Sequence, residues 1–95
     1  MTAYVISEIA RIDPDLIQDY RRLTAPSLAT FGGSFLVRGG AIESVEGDWK
    51  PNGIVILAFP DMTAARAWYA SPDYAEALAL SRRALTRRML FVEGI

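Results

Sequence analysis

The residue that most favours binding chemistry is Arg38, which two glycines follow in the string Val37-Arg38-Gly39-Gly40. A guanidinium in a predicted strand is a fixed cation, and the glycines let a ligand or another backbone segment approach it closely. This arrangement suits a carboxylate or an enolate. The alternative is a structural role, in which Arg38 pairs with Glu46 or Glu8 and the glycines form a bulge.

A second group of candidates lies between Trp68 and Tyr74, where three aromatic rings flank a predicted break between two helices. Tyr69 and Tyr74 carry phenols that can donate hydrogen bonds. Ser71 begins a new helix, whose free backbone N–H groups can hold an anion. Aromatic residues at helical spacing are also typical of a hydrophobic core, and a serine before a proline is an ordinary helix cap. The sequence leaves both roles open.

Two further candidates come from other segments of the chain. Tyr20 lies on the first predicted helix and is expected to face the layer between helices and sheet. Arg82 belongs to a group of four arginines predicted at the end of the last helix, where cations suit the helix dipole. It can also turn inward towards the same cleft. The candidate ligand-binding residues are thus Tyr20, Arg38, Trp68, Tyr69, Ser71, Tyr74 and Arg82, with no catalytic residue and no metal ligand assigned.

The chain of 95 residues contains neither histidine nor cysteine. Imidazole catalysis, cysteine and Ser–His–Asp nucleophiles, zinc sites and disulfides are therefore excluded. We expect no cofactor and no dependence on a transition metal, because the remaining oxygen ligands favour weakly held Mg²⁺, Ca²⁺ or Mn²⁺. The formal net charge of −1 gives no electrostatic reason to bind nucleic acid or an anionic membrane.

Periodicity and turn residues predict the order strand, helix, strand, strand, a helix broken in two, and strand. The predicted strands are 3–11, 34–41, 54–59 and 89–93, and the predicted helices begin at Asp13-Pro14, Asp61 and Ser71. Pro26 is expected to kink or restart the first helix. Two strand–helix–strand units placed side by side give an α+β, ferredoxin-like fold, in which a four-stranded antiparallel sheet carries its helices on one face. We expect a single domain over residues 1–95.

This fold would leave one face of the sheet without helices, yet the first and third predicted strands are apolar on both faces. A large exposed apolar patch normally marks an interface, so we expect a homodimer through the helix-free face. A folded monomer of this mass should expose roughly 5,400 Å². Trp49, in the polar connection between the second and third strands, is expected to contact the partner.

Several strings resemble the bacterial family catalogued as domain of unknown function 1330. They are Leu36-Val-Arg-Gly-Gly40, Val45-Glu-Gly-Asp48, Phe59-Pro60, Ala67-Trp-Tyr-Ala-Ser-Pro-Asp-Tyr74 and Phe91-Val-Glu-Gly94. The resemblance covers essentially the whole chain and implies a ferredoxin-like fold assembled as a dimeric α+β barrel. The wider superfamily includes cofactor-free monooxygenases, muconolactone isomerase and haem proteins. The family itself implies no substrate and no catalytic residue, and a proximal haem histidine is impossible here.

Three functional hypotheses follow. The first is a cytoplasmic homodimer that binds a small anionic or aromatic metabolite in a cleft between helices and sheet. The second is a cofactor-free enzyme, an isomerase or a monooxygenase-like protein, in which an arginine stabilises an enolate or phenolate and a tyrosine or carboxylate moves a proton. The third is a non-catalytic dimer that binds other proteins. Two or more unpaired polar groups in the cleft favour the enzyme, whereas a hydrocarbon cleft with Arg38 paired internally favours the third hypothesis.

Overall fold

The computed structural model describes residues 1–95 and contains four strands and three helices. In chain order they are β1 (Ala3–Ile12), α1 (Ile17–Ala29), β2 (Ser34–Arg38), β3 (Gly53–Phe59), α2 (Met62–Tyr69), α3 (Pro72–Ala84) and β4 (Leu85–Glu93). The sheet order is β2-β3-β1-β4 and every neighbouring pair is antiparallel. This is the predicted ferredoxin-like arrangement, with the second helix split into α2 and α3. None of the three helices has the length and apolar content that crossing a bilayer requires.

The strand register sorts side chains onto two faces of the sheet. On one face, Val5 of β1 lies between Leu57 of β3 and Phe91 of β4, and these residues pack against the helices. Successive side chains of a strand point to opposite faces. The next row, Ile56, Ile6 and Leu90, therefore lies on the helix-free face, as the sequence pattern predicted.

The core lies between the sheet and the helices and is centred on Trp68, which is 1% exposed. Its ring centroid lies 4.2 Å from that of Tyr74 and 5.3 Å from that of Phe59. Its indole N–H donates to the hydroxyl of Ser27 over 3.0 Å, so the one polar atom of the ring is satisfied. Burying aromatic rings of this size contributes on the order of 2–3 kcal/mol each.

The helix starts follow the predicted capping residues except in α1. The Asp61 side chain accepts from the backbone N–H of Ala64, and the Ser71 hydroxyl accepts from that of Tyr74. Asp13 instead accepts from the N–H of Asp15, which forms a turn four residues before α1 begins. The predicted restart of the helix at Pro26 does not occur, since α1 continues through this residue. Next to the proline, the hydroxyls of Thr24 and Ser27 donate to carbonyls of the preceding turn.

Two strand boundaries also differ from prediction. β2 ends at Arg38, three residues before Ala41, because Gly39 takes a φ of +72° that strand residues do not adopt. β4 begins at Leu85 instead of Met89. The pairing of Arg87 with Ile9 and of Arg88 with Glu8 draws these two arginines into the sheet. The two arginines, which the sequence analysis placed at the end of the last helix, therefore belong to β4. Their side chains point to opposite faces of the sheet.

Because helices cover only one side of the sheet, the molecule is flat, with principal extents of 37 × 36 × 17 Å. Its accessible surface is 6179 Å², about 780 Å² above the roughly 5,400 Å² expected for a monomer of this mass. Leu90 and Val92 contribute to the excess with 55% and 42% of their areas exposed. The helix-free face is therefore an uncovered apolar surface.

Candidate functional site

A cavity of about 230 Å³ lies between α1 and the helix-facing side of the sheet. An engineered cavity of about 150 Å³ is large enough to bind benzene. This cavity can therefore hold one ring with a small substituent. Its apolar wall is formed by Ile9, Ile12, Ile17, Phe35, Ile54, Val55, Leu57, Trp68, Leu85 and Met89.

The charged side chains that line the cavity are all cationic. They are Arg21 of α1, Arg38 of β2 and Arg87 of β4, and no aspartate or glutamate lines the cavity. The chain as a whole carries a net charge of −1, so this positive charge is a local property of the cavity. Fixed cations around an apolar space produce a positive potential that attracts anions.

Arg87 is held in place by two phenols. Its Nη1 donates to the Tyr20 hydroxyl over 2.8 Å, and its Nη2 donates to the Tyr74 hydroxyl over 3.0 Å. The two phenolic oxygens lie 2.7 Å apart and share a hydrogen bond. No carboxylate pairs with Arg87, since the two ion pairs of the structure join Arg22 to Asp19 and Arg88 to Glu8.

The surroundings keep this cluster in its cationic form. Burial raises the pKa of the Tyr74 phenol well above its ordinary value, and repulsion from a Tyr20 phenolate raises it further. Burial on its own would lower the pKa of Arg87, but the oxygens of Tyr20 and Tyr74 outweigh that effect and raise it. Tyr74 is therefore a neutral phenol and Arg87 a full cation at neutral pH.

Arg38 lies at the mouth of the cavity beside Gly39 and Gly40. Its guanidinium carbon lies 4.4 Å from the ring centroid of Phe35, a stacking distance that holds the side chain over an aromatic face. The pairing of Arg38 with Glu46 or Glu8 that the sequence allowed does not occur.

Glu8 is engaged on the other face of the sheet. It accepts from Nε of Arg88 over 3.0 Å and from the indole N–H of Trp49 over 2.9 Å. The Arg88 hydrogen bond, and then that of Trp49, hold the pKa of the Glu8 carboxyl below its usual range. Trp49 remains 58% exposed, so it lies over the edge of the helix-free face.

The structure brings four of the seven candidate residues together. Tyr20, Arg38 and Trp68 line the cavity, and Tyr74 lies directly behind Tyr20. Tyr69 and Arg82 line a second, more open depression between α3 and β4, which shares only Leu85 and Arg87 with the cavity. Ser71 is buried at the start of α3, where its hydroxyl donates to the Trp68 carbonyl and caps the helix. Nowhere do three acidic side chains lie close enough together to hold a metal ion.

The sequence analysis missed five polar residues of the cavity lining, namely Ser7, Arg21, Thr24, Asn52 and Arg87, and two of them, Arg87 and Ser7, carry a signal in the sequence. Arg87 was assigned to a helix end, although the alternation of Leu85, Arg87, Met89 and Phe91 is the pattern of one face of a strand. Ser7 is the one polar residue among the helix-facing residues Ala3, Val5, Ser7 and Ile9 of β1. Its side chain lines the cavity. A polar residue in an otherwise apolar series was the signal that could have identified both.

Residues 2–95 match the model of a family described as "Domain of unknown function (DUF1330)". No curated protein matches the sequence. Several solved structures share the fold at low identity. A protein of unknown function from Rhodopseudomonas palustris is 18% identical with a TM-score of 0.70, covering 99% of this chain and 82% of that one.

Two other similar structures carry more descriptive names. A dimeric ferredoxin-like protein of unknown function from Thermobifida fusca is 18% identical with a TM-score of 0.64, covering 99% of this chain and 92% of that one. A variant of a cofactor-independent oxygenase from Streptomyces nogalater is 17% identical with a TM-score of 0.56, covering 98% of this chain and 91% of that one. At these identities the similarity establishes the fold alone.

Proposed function

The chain belongs to the family described as domain of unknown function 1330, and we propose that this member binds a small anionic metabolite with an apolar ring or chain. The cavity between α1 and the sheet is the proposed site, and the binding unit is a homodimer joined through the helix-free face. Arg38 and Arg87 supply the positive charge, Tyr20 a hydrogen bond and Trp68 part of the apolar wall.

The observation that carries the proposal is a cavity lined by three arginines and no acidic residue. A partly buried guanidinium is costly unless an anion compensates it. Arg87 has only neutral phenols as partners. An anion in the cavity would supply the missing countercharge.

The size and lining of the cavity restrict the ligand further. Its wall is mostly hydrocarbon, and its polar side chains are Ser7, Tyr20, Thr24, Asn52 and the three arginines. A monocyclic carboxylate such as benzoate fits the volume of the cavity. Its single charged end would face the arginines while its ring contacts the apolar wall. Tyr69, Ser71 and Arg82 are not part of this proposal because they lie outside the cavity.

The homodimer is supported by the uncovered sheet face. A standard interface buries about 800 Å² on each partner, close to the excess of about 780 Å² in the 6179 Å² that this chain exposes. The Thermobifida fusca protein of similar fold is described as dimeric. Pairing two such faces would bury Ile6, Ile56 and Leu90 against the same residues of the partner.

The binding proposal is tested with two probes that share a ring and differ in charge. Benzoate and benzylamine are titrated into isotope-labelled protein, and backbone amide shifts are followed by NMR. We expect benzoate to shift cavity residues such as Ser7, Val55 and Met89, and benzylamine to leave them unchanged. Equal binding of both probes, or benzoate shifts confined to Ile6 and Leu90 on the other face, would contradict it. Mass spectrometry of untreated protein shows in parallel whether a natural ligand copurifies.

A cofactor-free enzyme is the second candidate function. Arg38 and Arg87 line the cleft and form no ion pair, which meets the condition of two unpaired polar groups that favours an enzyme. Either cation could stabilise an enolate or phenolate, and the Streptomyces nogalater oxygenase has a similar fold. Binding comes first because no carboxylate lines the cavity to accept a proton. Recovery of the copurified ligand unchanged after incubation in air supports binding alone, whereas its conversion, abolished by Arg87→Met, supports the enzyme.

A further inference from the structure

In the cluster of Tyr20, Tyr74 and Arg87, one of the two hydroxyl protons has no hydrogen-bond acceptor within the cluster. Each phenol carries one O–H, whereas a guanidinium donates hydrogen bonds and accepts none. The single bond between the two phenolic oxygens uses one of the two protons. The other proton has no acceptor within the protein.

Burial decides which phenol keeps the unused proton. Tyr74 is 0% exposed and does not line the cavity, so a spare proton there would be buried without an acceptor. Tyr20 lines the cavity, where water or a ligand can accept its proton. An unsatisfied buried donor is costly. Tyr74 is therefore the donor in the bond between the two phenols.

This direction leaves the Tyr20 oxygen unable to accept further bonds. One lone pair receives the Tyr74 hydroxyl and the other receives Nη1 of Arg87. Towards the cavity, Tyr20 can only donate, and the free N–H groups of Arg87 are donors as well. The Tyr20 hydroxyl and the Arg87 guanidinium thus form a set of donors without an acceptor.

We propose that this set selects the ligand by hydrogen-bond polarity, with Tyr20 as the specificity-determining residue and Tyr74 as the positioning residue that fixes its hydroxyl. The selected group is an oxygen anion that only accepts hydrogen bonds, a carboxylate, and the rejected group is an amide of the same shape. This inference rests on the proposed function and names the polar end of its ligand.

The direction of the bond is tested first without any ligand. Protein carrying ¹³Cζ-labelled tyrosine is placed in a mixture of light and heavy water, where a slowly exchanging hydroxyl gives two Cζ signals and a fast one gives a single averaged signal. We expect two signals for Tyr74 and one for Tyr20, assigned with the Tyr20→Phe and Tyr74→Phe variants. Slow exchange at Tyr20, or fast exchange at Tyr74, would overturn the proposal whatever ligand binds.

The consequence is tested with benzoate and benzamide, which differ little in shape. We expect wild type to prefer benzoate and Tyr20→Phe to weaken benzoate binding by about ten- to hundred-fold. Benzamide binding should weaken less, because its carbonyl oxygen is an uncharged acceptor. Tyr74→Phe frees a lone pair on Tyr20 for an amide N–H. The Tyr74→Phe variant should therefore prefer benzoate over benzamide less strongly than wild type, chiefly because it binds benzamide more tightly. Tyr69→Phe, whose phenol lies outside the cavity, is the matched control and should change neither probe.

The outcomes separate the two proposals. If benzoate binds in the cavity but its preference over benzamide survives in both variants, selection by polarity is wrong and the binding function stands. If no carboxylate enters the cavity, the proposed function fails and ligand selection fails with it. Should Tyr20→Phe unfold the protein by stranding the Tyr74 proton, Tyr74→Phe and the exchange measurement still decide the question.

Discussion

Arg38 and Arg87 line the same cavity, but different contacts hold them. Arg87 is fixed by two phenols, whereas Arg38 rests on the Phe35 ring at the cavity mouth. Neither forms an ion pair. At the residue scale, substituting either arginine should weaken ligand binding, but the accompanying loss of stability should differ between the two.

Arg38→Met should leave stability nearly unchanged and weaken benzoate binding. Methionine keeps much of the apolar stem over Phe35, and no carboxylate loses a partner. The free energy of unfolding should change by less than about 0.5 kcal/mol, while benzoate affinity falls about ten- to hundred-fold. Thermal melting and calorimetric titration measure the two effects. Arg66→Met, on the exposed face of α2, is the control; a lower melting temperature with unchanged affinity would remove Arg38 from the site.

Tyr74 should make the protein less stable at alkaline pH. Its pKa is raised in the folded state by burial, whereas the unfolded phenol ionises near pH 10. Above that pH the unfolded state has lost a proton that the folded state keeps, so stability is present below pH 10 and is lost as pH rises. The slope is about 1.4 kcal/mol per pH unit. Urea unfolding between pH 8 and 11 measures it, and Tyr74→Phe should flatten the decline while Tyr69→Phe should not.

At the scale of elements, local signals predicted the order of strands and helices, and long-range pairing set the boundaries that matter for the site. Asp61 and Ser71 cap their helices as their side chains suggest. The local pattern before Met89 is ambiguous, because the alternation of Leu85, Arg87 and Met89 fits a strand while the arginines are also compatible with a helix. Pairing with β1 sets the start of β4 at Leu85, and the same pairing brings Arg87 into the cavity. A local pattern therefore found Arg38 but not Arg87.

The connection from α1 to β2 depends on one close approach to β3. A Cβ at Gly33 would lie 2.6 Å from a ring carbon of Phe59, which is 1% exposed and cannot move aside freely. Gly33→Ala should therefore cost about 1–3 kcal/mol, or a melting temperature lower by about 5 °C or more. Gly40→Ala is the control, since its Cβ would meet only Val37 at 3.9 Å. Equal melting temperatures for both variants would show that the Phe59 ring can move aside without loss of stability.

For the whole molecule, the proposed function assigns ligand binding to the covered face of the sheet and assembly to the uncovered face. The covered face carries the core and the cavity. The uncovered face carries the row Ile56, Ile6 and Leu90, with the Glu8–Arg88 pair one row away. A ligand in the cavity would not touch this second surface. Assembly and ligand binding can therefore be disrupted independently.

Leu90→Glu should convert the dimer into a folded monomer. Leu90 is 55% exposed in the single chain, so a carboxylate there costs the monomer little, but pairing two faces would bury two like charges close together. Light scattering at micromolar concentration should give twice the 10.5 kDa chain mass for wild type and the chain mass for Leu90→Glu. Ala79→Glu adds the same charge on the exposed side of α3 and should remain dimeric. A monomeric wild type, or a Leu90→Glu variant that still dimerises, would show that the helix-free face is not the interface.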